Sequence, residues 1–226
     1  VCSFPDPHHP FTPPGRWWDV ATPAGVALPD SFHVAPSVPH VAWLHAQRDA
    51  GRATKRGHAA WACTAQEARE AIALNHGLMA FIDDAVGRVL AALDASGRAD
   101  DTVVAFTSDH GELLGDHQLM LKGGLHYRSL TRVACLWHDP ESAPRRVEAL
   151  AQSTDLAPTI LDRAGVAPPN GIQGVSLLPL ARGEAPPWRD AVLIEEEGQR
   201  RDFGWTHRVR MRSLVDARHR LTLYDG

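Results

Sequence analysis

The chain has 226 residues, 44% of them hydrophobic and 22% charged, which is long enough for one sizeable core and ordinary for a globular α/β protein. It has 23 basic and 27 acidic residues, a net charge of −4, and no basic stripe of the kind that binds nucleic acid. No apolar run approaches the roughly eighteen residues that a membrane span needs. We therefore expect neither a nucleic-acid partner nor a membrane span.

The N-terminal third of the sequence predicts a loop followed by a long helix. Residues 1–40 contain nine prolines and are predicted as loop, apart from the end of a strand at 1–4. Residues 41–62 allow only short helical turns. Thr64 and Glu67 form a capping box, and Gly97 ends the helix that it opens. Its predicted buried face recurs at three- and four-residue steps: Ala71, Leu74, Leu78, Phe81, Ile82, Val86, Val89, Leu90 and Leu93.

The rest of the chain predicts strands alternating with one more helix. Residues 102–109 and 131–139 are short apolar runs typical of buried strands. A helix capped by Ser153 or Thr154 ends at Gly165, and a further strand follows at 191–197. This order favours an α/β domain over residues 1–197, with a mostly parallel sheet sandwiched by helices. Residues 198–226 suit an antiparallel hairpin, the start of a small C-terminal subdomain.

The three cysteines, Cys2, Cys63 and Cys135, are too few and too irregularly spaced for a disulfide framework. Each lies in or beside an apolar segment, so we expect buried thiols. The chain begins at Val1 rather than Met and stops at Gly226 without a closing helix. We expect it to be a piece of a longer protein.

The candidate chemistry is concentrated in residues 107–124, TSDHGELLGDHQLMLKGG. Asp109 and His110 end a predicted strand, and functional groups of open α/β sheets gather beyond such ends. A carboxylate and an imidazole suit a divalent ion, provided that the strand breaks there, as Gly111 allows. The alternative is that Asp109 caps the next turn and His110 is a solvated loop residue. Two ligands are too few for tight binding, so others must come from elsewhere in the fold.

Three further polar positions have both a plain and a functional interpretation. Asp116 and His117 form a second pair, which the sequence favours as a polar surface loop. Lys122 is one of only two lysines, the other being Lys55, and beside a metal ion its ammonium would attract an anionic substrate oxygen. The adjacent His8 and His9 lie in a proline-rich loop, where a histidine can act as a general acid.

Several segments, taken together, resemble the sulfatases of the alkaline phosphatase superfamily. DDTVVAFTSDHGELLGDH resembles the family's strand with metal ligands, and PHHPF resembles its P-H-x-P-F loop. The next loop and strand of the family resemble KGGLHYRSLTRVACLW. The helix and the G-x-S-L-x-P segment that follow them resemble STDLAPTILDRAGVAPPNGIQGVSLLPLARG. The resemblance covers nearly the whole chain in a consistent order, and it implies an alkaline phosphatase-like fold.

The resemblance also implies roles for four residues. Asp109 and His110 would bind a divalent ion, calcium in the first place, with manganese or magnesium as alternatives. Lys122 would contact a sulfate oxygen, and His8, rather than His9, would lie near the leaving-group oxygen. The implied substrate is a small anionic sulfate ester, whose charge a metal ion, a lysine and a histidine would stabilise.

The family's nucleophile is a formylglycine made from Cys or Ser in a C/S-x-P-x-R motif, downstream of an aspartate pair. No cysteine here has proline two residues on, and the aspartate pair is absent. Ser142, Pro144 and Arg146 match the motif loosely, but they follow the Asp-His segment in a charged turn, so we reject them. We expect the nucleophile outside these residues, an inactive and poorly stable isolated chain, and an exposed sheet edge.

Three alternatives stay open beside a sulfuric ester hydrolase. A phosphonate monoester or phosphodiester hydrolase would use the same residues, because both substrate classes are tetrahedral anionic esters. A non-catalytic remnant that binds a partner or a metal would explain an absent nucleophile. A zinc protein using Asp109, His110, Asp116 and His117 would bind zinc tightly as the isolated chain.

Overall fold

A computed structural model describes residues 1–53, 59–198, 201 and 203–225, and they belong to two compact units. The first unit is made of Val1–Ala99, His110–Arg132 and Gly198–Arg208. The second is made of Asp100–Asp109, Val133–Glu197 and Val209–Gly226. Each unit is thus assembled from separate stretches of sequence, and the division of the chain at residue 197 stays a prediction.

The described helices and strands are short, with one exception. The α-helices are α1 Pro39–Asp49, α2 Ala65–Ala95, α3 Arg128–Thr131, α4 Leu156–Arg163 and α5 Leu178–Ala181. The strands are β1 Trp61–Ala62, β2 Val104–Thr107, β3 Leu119–Met120, β4 Cys135–His138, β5 Ala191–Glu197, β6 Arg210–Asp216 and β7 Arg220–Asp225. Single 3-10 turns lie at Gly15–Trp17, Pro23–Gly25, Asp30–His33, Ala99–Asp101, Asp116–Gln118 and Ser153–Asp155. Among the described helices, none is both long enough and apolar enough to cross a bilayer.

Helix α2 begins where the capping box predicts. The Glu67 amide donates to Thr64 Oγ1 at 3.3 Å, and the Thr64 amide donates to Glu67 Oε2 at 2.8 Å. These two bonds satisfy amide groups that a helix start leaves without intrahelical partners. The helix ends at Ala95, and Gly97 follows in the left-handed region at φ 68°. Both predicted boundaries are confirmed.

The predicted buried face of α2 is only half correct. Its first half packs into a core cluster that includes Phe32, Cys63, Ala68, Ala71, Met120 and Leu121. Further along, Leu78 and Ile82 are buried, whereas Val89 and Leu90 are exposed. The periodicity fixes which residues share a face, but burial needs a neighbour, and the core lies against the first half of the helix.

Strands β2 and β4 correct the predicted sheet. They pair in the antiparallel sense, with Phe106 opposite Leu136, and all described strand pairs are antiparallel. The prediction of a parallel arrangement is wrong for this pair. A parallel pair needs a crossover connection, usually a helix, and the connection between β2 and β4 contains no α-helix longer than the four-residue α3. Phe106 and Leu136 are 41% and 64% exposed, so the prediction of strands buried on both faces is also wrong here.

The C-terminal hairpin is confirmed, and a third strand joins it. Strand β6 pairs antiparallel with β7 and also with β5, the predicted strand at 191–197. One face of the sheet has buried residues at Val192, Met211 and Ser213. On the opposite face, Leu193, Leu214 and Leu221 are exposed and lie side by side across the three strands.

Asp155 is the main buried polar contact of the second unit. Its carboxylate has no exposed surface and accepts from Arg189 Nη1 at 2.7 Å and Nη2 at 2.9 Å. It also accepts from the amides of Gln152 at 2.8 Å and Val175 at 2.9 Å. Burial acts to raise the pKa of Asp155, but these hydrogen bonds outweigh it and hold the pKa below its usual range. The cap before α4 is therefore formed by Gln152 and Asp155, not by the predicted Ser153 or Thr154.

Several local predictions are also corrected. No strand is present at Val1–Phe4, and Pro39–Asp49 forms three turns of helix instead of short turns. Of the cysteines, Cys63 is buried as predicted, but Cys2 and Cys135 are exposed. Lys55 lies outside the described residues.

Candidate functional site

Asp109 and His110 lie immediately beyond the end of β2, as the sequence predicts. The strand stops at Thr107, and both side chains are exposed. Asp109 is the last residue of its stretch of the second unit, and His110 begins the next stretch of the first. His110 Nδ1 lies 2.8 Å from the carbonyl oxygen of Gly111. A carbonyl oxygen only accepts, so Nδ1 carries a proton, and Nε2 is the nitrogen that could bind a metal when the ring is neutral.

Gly111 fixes the path of the chain after His110. Its amide donates to the carbonyl oxygen of Leu130 at 2.8 Å. A Cβ atom at this position would lie 1.9 Å from the carbonyl oxygen of Ser129. Only glycine allows this approach, so the backbone next to His110 is held against α3 by main-chain contacts.

Glu112 and Lys122 face each other in the same loop. The distance from Lys122 Nζ to Glu112 Oε2 is 3.9 Å, and their side chains are 17% and 15% exposed. Glu112 Oε1 also accepts from the amide of Leu113 at 3.1 Å. The Leu113 amide approaches the carbonyl oxygen of Leu121 at 3.2 Å, which ties together the two backbone segments that carry the pair.

The Glu112 carboxyl is influenced by charges from residues that are far apart in sequence. Burial raises the pKa of the Glu112 carboxyl, and the neighbouring charges of Lys122, His110 and His8 oppose that shift. His8 and Glu112 are more than a hundred residues apart in sequence, and both belong to the first unit. Three of the four predicted site residues, His8, His110 and Lys122, thus lie near enough to Glu112 for their charges to act on its carboxyl, and Lys122 is 3.9 Å from it. Glu112 was missed, although it directly follows Asp-His-Gly and precedes the rare lysine by ten residues.

His8 lies in an exposed turn. Its amide donates to the carbonyl oxygen of Pro5 at 3.2 Å, and its ring stacks on His9 with centroids 4.1 Å apart. His8 Nδ1 is 2.5 Å from the carbonyl oxygen of His9, so Nδ1 is the protonated donor. Acid–base chemistry by His8 therefore belongs to Nε2.

Asp116 and His117 hold segments of the first unit together and do not form the predicted surface loop. Asp116 is 16% exposed and accepts hydrogen bonds from the hydroxyls of Ser31 and Ser129. The His117 ring stacks on Tyr127 with centroids 4.1 Å apart. The plain surface interpretation is wrong because these contacts connect three segments of the first unit.

The backbone around Asp116 and His117 departs from ordinary geometry. Leu114, His117, Gln118 and Leu121 have φ between 42° and 64°, a left-handed region that is costly for residues other than glycine. Main-chain and side-chain hydrogen bonds hold the segment in place, including His45 Nε2 to the His117 carbonyl oxygen at 3.0 Å. Four such residues within eight positions fix the loop that ends at Lys122.

The described residues do not form a complete metal site. Among the described residues there is no group of three or more His, Cys, Asp or Glu side chains that could hold an ion. That finding contradicts a four-ligand zinc site at Asp109, His110, Asp116 and His117. The exposed Asp109 carboxylate and the His110 imidazole are two donors of the kind that a larger ligand set would include.

The rejected Ser142 motif lies in a turn after β4. The Ser142 amide donates to the carbonyl oxygen of Asp139 at 2.9 Å, and the exposed Arg146 pairs with Glu148 at 2.5 Å. Both contacts are local, as the sequence argument for a charged turn requires.

Two family models match the chain. The model described as Sulfatase matches residues 27–166, which is more than half of the chain and includes Asp109, His110 and Lys122. The model of the N-sulphoglucosamine sulphohydrolase C-terminal region matches residues 115–219. The chain belongs to the sulfatase family, whose solved members have the alkaline phosphatase-like α/β fold.

Individual relatives include both sulfatases and other hydrolases of the superfamily. The multifunctional alkaline phosphatase superfamily protein PehA of Trinickia caryophylli is 42% identical over 133 residues, 57% of this chain and 26% of that protein. The arylsulfatase of Clostridium perfringens is 27% identical over 195 residues, 84% of this chain and 38% of that protein. The phosphonate monoester hydrolase SpPMH of Silicibacter pomeroyi superposes with a TM-score of 0.77 at 28% identity, over 96% of this chain and 46% of that one. The chain spans less than half of each of these three proteins.

Proposed function

We propose that the complete protein is a metal-dependent sulfuric ester hydrolase and that this chain carries part of its active site. The observation that carries the proposal is the ion pair of Lys122 with Glu112, on which the charges of His8 and His110 also act, in a member of the sulfatase family. An ammonium with two histidines in electrostatic reach of the same carboxylate is a set of groups suited to an anionic substrate.

Asp109 and His110 are proposed as two ligands of a divalent ion, with calcium favoured over manganese or magnesium. A bound ion would withdraw charge from a nonbridging oxygen of the substrate. The support from this chain is the position of both residues beyond β2 and the His110 hydrogen bond through Nδ1, which makes Nε2 the nitrogen that would bind the ion. The formylglycine nucleophile and the remaining ligands are expected from parts of the protein outside these 226 residues.

Lys122 and His8 are proposed to act on the substrate directly. The Lys122 ammonium would donate hydrogen bonds to a nonbridging oxygen of the sulfate group, which is anionic throughout the reaction. His8, protonated at Nε2, would donate to the ester oxygen and stabilise the negative charge that develops as that bond breaks. Both roles are supported by the charges of His8 and Lys122, which both act on the Glu112 carboxyl.

A phosphonate monoester or phosphodiester hydrolase is the second candidate. It is favoured by the similarity to SpPMH over nearly the whole chain and by the similarity to PehA. A substrate panel separates the two: 4-nitrophenyl sulfate against the 4-nitrophenyl monoester of phenylphosphonate and bis(4-nitrophenyl) phosphate. The proposal expects the highest kcat/KM with the sulfate, and preference for a phosphorus ester would replace it by the second candidate.

A non-catalytic remnant is the remaining alternative. It predicts no turnover of any ester in the panel by the protein expressed from its complete reading frame. Metal content of the same preparation distinguishes the cases independently of activity. About one tightly bound divalent ion per protein supports the proposed ligands, provided that replacing Asp109 by Asn removes it.

A further inference from the structure

Lys122 reaches its position through an unusual backbone but ends in a flexible side chain. Leu121 before it and Gly123 after it have φ of 64° and 104°, so the main chain on both sides of Lys122 is left-handed. The ammonium, in contrast, lies at the end of four methylene groups with several rotatable bonds. A rigid backbone alone therefore does not fix where the charge sits.

Glu112 supplies the missing constraint. Among the residues that the structure describes, its carboxylate is the one ion-pair partner of Lys122, at 3.9 Å. Both side chains are largely buried, so water screens this pair less than it screens a surface ion pair. Glu112 itself is fixed by the Leu113 amide at 3.1 Å, and the contact between Leu113 and Leu121 holds the two backbone segments in register.

We propose that Glu112 is a positioning residue for Lys122: its carboxylate holds the ammonium towards the anionic group of the substrate. This inference deepens the proposed function and rests on it. Glu112 touches no reacting atom in this account, and its effect on the reaction passes through Lys122. Loss of its charge would leave the lysine side chain to sample other rotamers, and a misplacement of about 1 Å can cost roughly a hundredfold in rate.

The test is a double-mutant cycle in the protein expressed from its complete reading frame, assayed with the best substrate of the panel. Glu112→Gln keeps the size of the side chain and the oxygen that accepts from Leu113, and removes only the charge. We expect kcat/KM to fall about tenfold to a hundredfold, with partial recovery in Glu112→Asp. In a Lys122→Ala background, Glu112→Gln is expected to change kcat/KM by less than about twofold, because its effect requires the lysine.

Glu70→Gln is the matched control, since Glu70 is an exposed carboxylate on α2 that accepts from Gln66 at 2.7 Å. It is expected to leave kcat and KM unchanged. Equal losses from Glu112→Gln with and without Lys122 would overturn the proposal and assign Glu112 a structural role. An unchanged kcat/KM in Glu112→Gln would overturn it as well. Absence of turnover in the parent protein would refute the proposed function, and the role of Glu112 with it.

Discussion

Replacing Asp155 by Asn removes a negative charge from a side chain with no exposed surface. The carboxylate takes four hydrogen bonds, two from Arg189 and one each from the amides of Gln152 and Val175. An Asn side chain has one acceptor oxygen in place of two, so one of its groups faces donors that it cannot satisfy. Arg189, only 18% exposed, would keep its charge without the partner that compensates it.

The expected loss of unfolding free energy follows from breaking a buried ion pair on one side. Such substitutions cost about 3 to 5 kcal/mol, because the remaining charge stays buried. We expect Asp155→Asn to lie near 3 kcal/mol and Asp155→Ala towards 5 kcal/mol, since Ala also loses the bonds to both amides.

Urea unfolding of the protein expressed from its complete reading frame, followed by tryptophan fluorescence, measures this loss, and Trp188 is the tryptophan next in sequence to Arg189. Its Nε1 donates to the carbonyl oxygen of Leu150 at 2.7 Å, and the Arg189 guanidinium lies 5.1 Å from its ring centroid. Asp162→Asn is the control, because Asp162 is exposed and accepts from Ser176 at 2.5 Å. It should cost under about 0.5 kcal/mol. A loss below about 1 kcal/mol for Asp155→Asn would refute the assignment of Asp155 as the buried polar contact of its unit.

Three further predictions follow from the same structure. The pKa of Asp155 is below its usual range, so its contribution to stability is fully present above about pH 4 and is lost as pH falls through the folded-state pKa. The difference in unfolding free energy between the parent and Asp155→Asn should therefore shrink on acidification. A difference that does not change with pH would contradict this prediction. Gly111→Ala should cost about 1 to 3 kcal/mol in thermal unfolding, because its Cβ would meet the Ser129 carbonyl oxygen at 1.9 Å. Gly87→Ala, with nothing within 4 Å and a helical backbone, should instead gain about 0.5 to 1 kcal/mol, and equal effects at both glycines would contradict the account.

Local signals in the sequence predicted local structure well. The capping box at Thr64 and the left-handed glycine at Gly97 gave both ends of α2, since each depends on hydrogen bonds within a few residues. The hairpin of β6 and β7 was predictable for the same reason, because its strands are neighbours in sequence.

Long-range pairing was not predictable from such signals. The apolar runs at β2 and β4 have the composition of buried strands, but composition does not encode the direction of a partner. The antiparallel pairing of Phe106 with Leu136 depends on the connection between the strands, which lacks a crossover helix in the described residues. Burial of Val89 and Leu90 failed as a prediction for a similar reason, because amphipathic spacing does not supply a neighbouring surface.

In the candidate site, too, neighbours in sequence were predictable and long-range contacts were not. Asp109, His110 and Lys122 stand within fourteen residues, so their sequence spacing already suggested one site. The proximity of His8 could be expected only from the family resemblance, since it is about a hundred residues away. Glu112 went unnoticed because a glutamate in a loop is ordinarily solvated. Its burial beside Lys122 occurs in a loop with left-handed backbone at Leu114 and Leu121, a conformation that leucine does not predict.

Lys122 is proposed to stabilise the charge of the substrate in an ester hydrolase of the sulfatase family. The most direct measurement is steady-state turnover of 4-nitrophenyl sulfate by the protein expressed from its complete reading frame, compared with its Lys122→Ala variant at equal metal content. We expect turnover by the parent and a fall in kcat of about a hundredfold to a thousandfold in the variant, the range for loss of one group that stabilises transition-state charge. Equal turnover by the two proteins, or none by the parent with any ester of the panel, would contradict it.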